Sequence, residues 1–168
     1  MTERKTIRKW FFVWDFEKEE EWLNEMALSG WALVSVGFCR YTFERTEPGE
    51  YIIRLEMHKH DPSYLAFMEE TNAEYVGRVF QWIYFRRKSE YGPFDIFSDI
   101  DSKIEHLRNI CRVLFLLGIG NILIGIGNSL NGLNIGWINL ICGSLLMYGL
   151  GNLRGKVTYL EKERKLRE

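Results

Sequence analysis

The sequence predicts an α+β protein: a ferredoxin-like domain of β-α-β-β-α-β order, forming an antiparallel sheet, followed by a two-helix transmembrane hairpin. Three observations lead there. Residues 7–88 alternate between period-two and period-3.6 apolar patterning. Two long runs near the C-terminus, 113–130 and 135–153, contain no charged residue. Charge also divides unevenly: residues 1–100 hold 13 Lys/Arg against 18 Asp/Glu, whereas residues 101–168 hold 9 against 5. The acidic first part argues against a nucleic-acid module, which needs a basic footprint for phosphates.

Ile7 to Phe16 is aromatic and β-branched and predicts a strand, with Trp10, Phe12, Trp14 and Phe16 on one face and Phe11 and Val13 on the other. Glu17 to Ser29 predicts a helix, because Trp22, Leu23, Met26 and Ala27 share one side opposite a glutamate-rich face. Gly30 stands ready to end it. Trp31 to Arg45 reads as one long strand, Glu47-Pro48-Gly49-Glu50 as a turn, and Tyr51 to His58 as an alternating strand. Asp61 and Pro62 open a second helix over 63–72, and Tyr75 to Arg87 reads as a fourth strand carrying Val76, Phe80, Trp82 and Tyr84 on one side.

Residues 1–97 thus form one domain with its linker, and residues 98–168 a juxtamembrane helix, the hairpin and a basic tail. A helix opens at Ser98, and its apolar positions Ile100, Ile104, Leu107, Cys111, Leu114 and Gly118 make a heptad seam that enters the first uncharged run. That run spans about 27 Å as a helix, close to the hydrocarbon core of a bilayer. Eleven of its residues are Val, Leu, Ile or Phe, favouring insertion by about 3–7 kcal/mol before the cost of its glycines and asparagines. The second run has eight such residues and is the more marginal span. Lys103, Arg108 and Arg112 precede the hairpin and Arg154, Lys156, Lys162, Arg164, Lys165 and Arg167 follow it, with no basic residue in the connection. The positive-inside rule then places both termini in the cytosol, as in a multi-pass plasma-membrane protein. Leu153, Val157 and Leu160 of the tail are placed to pack on Ile104 and Leu107.

Few residues point to chemistry. Cys39, Cys111 and Cys142 lack disulfide or zinc spacing and read as small apolar residues. His58, His60 and Asp61 offer too few ligands for a metal, and Asp95, Asp99 and Asp101 are better explained by helix capping. No nucleophile–base set is present, so neither an enzyme nor a cofactor is expected. The Gly-x-Gly-Asn repeats supply Gly118, Asn121, Gly125, Asn128, Gly149 and Asn152, a set suited to close helix packing and interhelical hydrogen bonds rather than phosphate binding. The aromatic load of the soluble part exceeds what one covered sheet face needs, so Trp10, Phe12, Trp14, Phe80, Trp82 and Tyr84 form the candidate binding face.

Lys9-Trp10-Phe11-Phe12, Phe16 to Met26, Gly30-Trp31, Gly37 to Phe43 and Phe97 to Lys103 together resemble a bacterial family of short membrane proteins. Its members carry a domain of unknown function and are often encoded beside PadR-type repressors. The resemblance covers residues 8–112 and implies a regulatory or envelope-response setting linked to drug efflux; it supplies no catalytic residues. The expected function is a non-enzymatic, membrane-anchored regulatory or sensor module whose cytosolic sheet binds a protein partner or apolar ligand. Self-association through the hairpin is a further expectation. The rivals are an accessory subunit of a transporter and an enzyme acting on a lipid or amphiphile.

Overall fold

The computed structural model describes residues 3–59, 61–97 and 99–167. The chain divides into two compact units, residues 1–96 and 97–168. The first is mixed α+β and the second is helical.

The first unit holds six strands where the sequence predicts four. They are β1 (Arg4–Arg8), β2 (Trp31–Gly37), β3 (Arg40–Arg45), β4 (Tyr51–Met57), β5 (Glu74–Val79) and β6 (Trp82–Lys88), with α1 (Phe16–Leu28) and α2 (Pro62–Glu70) between them. They form two three-stranded antiparallel sheets, ordered β1-β3-β2 and β4-β6-β5. A single ferredoxin-like sheet is therefore not what the chain builds. Both long predicted strands are hairpins, turning at Phe38–Cys39 and at Phe80–Gln81. The turns escape notice because no Asn-Gly or Asp-Gly pair marks them: Cys39 and Phe80 adopt the left-handed region themselves, at φ 54° and 55°. The predicted first strand also moves. Only residues 4–8 pair with β3, and the aromatic segment after them leaves the sheet and closes in a single 3-10 turn at Val13–Asp15.

The helices form where predicted, for identifiable reasons. Gly30 ends α1 at φ 80°, and a side chain there would press on the Thr46 carbonyl at 2.9 Å. Asp61 caps α2 by accepting the Ser63 N–H at 3.0 Å, with Pro62 at the first helical position. On one side of β3, Tyr41 and Phe43 meet Trp22 of α1 edge-on. In the other sheet Ile83 and Phe85 form a cluster with Met68, Ala73 and Phe94, flanked by Tyr64 and Leu65 of α2. β2 and β5 lie side by side, each carrying a bulge, and a side chain at Gly77 would meet Val36 at 3.1 Å.

One contact stabilises this unit across its two sheets. Asn24 of α1 donates to the Ile53 carbonyl at 2.9 Å and accepts the Ile53 N–H at 2.9 Å, while Glu20 accepts the Leu55 N–H at 3.1 Å. Side chains of α1 thus satisfy the outer edge of β4, which has no strand neighbour on that side.

The second unit is a pair of long helices, α3 (Ile100–Leu130) and α4 (Gly136–Arg167). Asp99 caps α3 by accepting the Ser102 N–H at 2.7 Å; Ser98 lies outside the described residues. Ile104, Leu107, Cys111, Leu114 and Gly118 are buried along the seam, facing the side where α4 buries Leu150, Leu153 and Val157. Arg108–Glu161 and Arg164–Asp101, each at 2.6 Å, extend the pairing past the apolar runs. α3 is long and apolar enough to cross a membrane, with a mean hydropathy of 2.1 over its best window. α4, the span expected to be the more marginal, does not reach that measure, so one clear span stands where two were expected; the apolar residues of α4 crowd into its first half and charges fill the second.

Candidate functional site

The six residues of the expected binding face separate into two environments. Trp10, Phe12 and Phe80 are exposed, at 58%, 38% and 78%. Trp14 and Tyr84 are buried, and Trp82 is half-buried against Phe16 at 5.2 Å. Alternation along a strand cannot make this division, because Trp10, Phe12 and Trp14 lie in no strand.

The exposed rings are joined by a residue that belongs to the aromatic excess of the sequence but not to the expected binding face. Phe38, 64% exposed at the β2–β3 turn, packs edge-to-face on Trp10 at 5.7 Å and on Phe80 at 5.9 Å. Trp10 in turn meets Phe12 at 6.0 Å, and Phe12 stacks on buried Trp14 at 4.6 Å. A continuous aromatic row therefore runs from the solvent tip at Phe80 to the core. Two hairpin turns and the segment after β1 bring it together, and the Lys9 N–H donates to the Cys39 carbonyl at 3.2 Å to hold that segment in place. The cue available in sequence was length: a 15-residue strand from Trp31 to Arg45 is too long for a small sheet.

Behind this row lies a buried acid. Glu19 of α1 accepts hydrogen bonds on Oε1 from Tyr84 Oη at 2.6 Å and from Tyr41 Oη at 2.8 Å, one tyrosine from each sheet. Burial pushes the Glu19 carboxyl above its ordinary range, outweighing the two phenol hydrogen bonds that lower it. The same burial, with Glu19 beside them, pushes both tyrosines up. Glu56 is the corresponding acid under α2: burial raises it, and Tyr64 bonds to it and lowers it. Among the described residues Glu19 is bonded by Tyr41 and Tyr84 and Glu56 by Tyr64, while Glu56 Oε1 is buried with no hydrogen-bond partner.

In the helical unit Gly118 and Gly125 lie at the α3–α4 contact, where an added Cβ would meet Met147 Sδ at 3.0 Å and Leu140 Cγ at 2.8 Å. Gly149 is also buried. Gly136 and Gly143 make equally close approaches from α4, unnoticed in the sequence because they fall outside the repeated motif. Asn121 donates to the Leu117 carbonyl of its own helix at 2.9 Å, Asn128 is half-buried and Asn152 is exposed. An i−4 carbonyl is the nearest acceptor on a helix, and it takes the amide before the neighbouring helix can.

Among the described residues no group of three His, Cys, Asp or Glu is arranged to hold a metal ion. His60, one of the two histidines considered for such a site, lies outside the described residues. No curated protein and no solved structure matches the chain. Residues 15–119 match the family described as Protein of unknown function (DUF2812), a stretch covering α1, both sheets beyond β1 and the first two-thirds of α3, and the chain belongs to that family.

Proposed function

We propose that this chain is a non-enzymatic, membrane-anchored sensor or regulatory module. In this reading the hairpin of α3 and the first half of α4 crosses the plasma membrane, both termini lie in the cytosol, and the α+β unit engages a partner through its aromatic tip. The observation that carries it is the exposed row Trp10, Phe38 and Phe80, an apolar patch of a kind that monomeric domains seldom leave uncovered. The anchor is supported by the outer surface of the helix pair: Phe115, Leu116, Leu117, Leu123 and Ile124 of α3 and Trp137, Ile138, Ile141 and Leu145 of α4 all point outward. The basic residues flanking the uncharged runs support the orientation, and the bacterial PadR-associated resemblance supports a drug- or envelope-response setting.

A second reading, an accessory subunit of a transporter or a self-associating anchor, is favoured by one feature. Gly120, Gly127 and Gly151 face open space, leaving small-residue positions where another membrane helix can approach closely.

Carbonate washing tests the anchor: the full chain stays in the membrane pellet, and its release would overturn the reading. For topology, Asn131→Cys should react with an impermeant thiol reagent from outside intact cells and Ser89→Cys should not, both in a background lacking the native cysteines.

A further inference from the structure

We infer that the aromatic tip docks on the anionic face of a lipid bilayer, so that the partner of this surface is the membrane beside which the chain is anchored. The inference rests on the anchored reading above and names the surface that the tip recognises.

Charge at this end carries the argument. Elsewhere in the unit five basic side chains meet carboxylates: Arg4 with Glu44, Lys18 with Asp15, Arg54 with Glu20, Arg86 with Glu74 and Glu44, Lys88 with Glu50 and Glu90. Lys5, Arg45 and Arg87 lie over rings instead. The tip gathers cations with no carboxylate partner among the described residues and no acid in its own segments. Arg8, Arg40 and Arg78 are exposed and pair with no carboxylate among the described residues. Lys9 lies over the rings of Phe11 and Trp22. The segments that build the tip, 8–12, 37–40 and 78–82, contain no acid at all, although the first hundred residues are acidic overall. Arg8 and Arg40 are cross-strand partners and flank a shallow hollow of about 370 Å³ beside Phe38. Two guanidinium groups on one hollow suit a phosphate headgroup.

Aromatic residues ringed by Arg and Lys are the composition of a membrane–water interface, where rings settle at headgroup level and cations meet anionic lipid. A nucleic acid fits less well. Stacked bases need splayed ring faces, whereas Trp10, Phe38 and Phe80 turn theirs onto one another at 81–89°. The remainder of the unit is acidic overall, so attraction at the tip favours one orientation over others.

The test uses the full chain in a cysteine-free background, reconstituted into phosphatidylcholine vesicles with and without phosphatidylglycerol. An environment-sensitive fluorophore is attached at Gln81→Cys in the tip, at Glu47→Cys at the opposite end of β3, or at Leu123→Cys in α3. Brominated lipid should quench the Leu123 label in both vesicles. It should quench the Gln81 label strongly only when phosphatidylglycerol is present, and the Glu47 label in neither. Arg40→Glu with Arg78→Glu should lower the docking equilibrium constant by at least roughly 25-fold at low salt, given the worth of each cation near an anionic leaflet. Thermal unfolding of that variant, unchanged, separates lost docking from lost folding. Gln81 quenching that ignores phosphatidylglycerol or the charge reversals would overturn the inference, as would equal quenching at Glu47. Binding of fluorescent poly(U) RNA that depends on Arg40 and Arg78, without lipid docking, would assign the tip to nucleic acid instead. An unquenched Leu123 label would mean that the anchor reading had failed, not the docking.

Discussion

The two halves of the α+β unit, residues 4–45 and 51–88, share one plan and use it differently. Each runs strand, helix, strand, strand, and in each the last strand lies between the other two. Each turns its hairpin on residues without a glycine, and each bulges the strand that faces the other half. The helices diverge. α1 has 13 residues and buries Phe16, Glu19, Leu23 and Ala27, whereas α2 has nine and fully buries only Met68. α1 also reaches across to satisfy the edge of β4. A repeated plan therefore does not imply a repeated division of labour: the first helix organises both sheets, and the second covers its own.

Three experiments break or sharpen this comparison, all on the full chain in detergent, with denaturation followed by near-UV circular dichroism. The largest effect is expected at equivalent core positions. Phe43 and Phe85 sit on the two central strands and are both fully buried. Phe43→Ala and Phe85→Ala should each cost about 3–5 kcal/mol. A large loss at one and almost none at the other would refute the equivalence of the halves.

A smaller effect, and one confined to a single half, is expected at the β4 edge. Asn24→Ala strands the Ile53 N–H and leaves its C=O to the Arg54 guanidinium alone, and about 1–3 kcal/mol should go with the lost bonds. Substituting alanine for Ser63 or Thr71 on α2, whose hydroxyls bond only within their own helix or its cap, should cost less. If Asn24→Ala is neutral, α1 is not the organiser described above.

The mildest effect is a pH dependence. Glu19 and Glu56 both have carboxyls raised by burial. For a group whose folded pKa lies above its unfolded value near 4.3, folding binds the proton more tightly. The contribution is full below the unfolded pKa and is lost as pH rises through the folded one. Stability should therefore decline over that window, and Glu19→Gln should flatten part of the decline. A variant with the same pH profile as the parent would show that Glu19 does not titrate in that window.

How much of this was legible in sequence depends on where each element gets its signal. α1 carries an acidic first turn, α2 a capping Asp61 followed by Pro62, and α3 both a cap and an acid in its first turn, all within their own residues, so local reading finds them. The heptad seam of α3 was readable for the same reason. The two hairpin turns were not. Cys39 and bulky Phe80 take positive φ values that residue preference disfavours, and only the paired strands around them hold them there. Of the site, Trp10, Phe12, Phe38 and Phe80 all count in the aromatic excess of the sequence, but placing Phe38 on the exposed face needed the missed turn. The failure and the site coincide: a turn chosen for foldability would carry Asn-Gly, and this one carries exposed rings.

The seal of α1 over the β4 edge gives the chain an asymmetric dependence on its own continuity. The covering side chains belong to the first half and the edge they satisfy belongs to the second, so a protease cutting at Glu47–Gly49 would not release two domains. The fragments would remain clasped, since the second, alone, would offer Ile53 and Leu55 as an open template for any passing strand. The first would keep its open side at β1, where Arg4, Lys5 and Arg8 discourage such pairing. Order of synthesis fits this dependence: α1 leaves the ribosome before β4 does, so the cover exists before the edge that needs it.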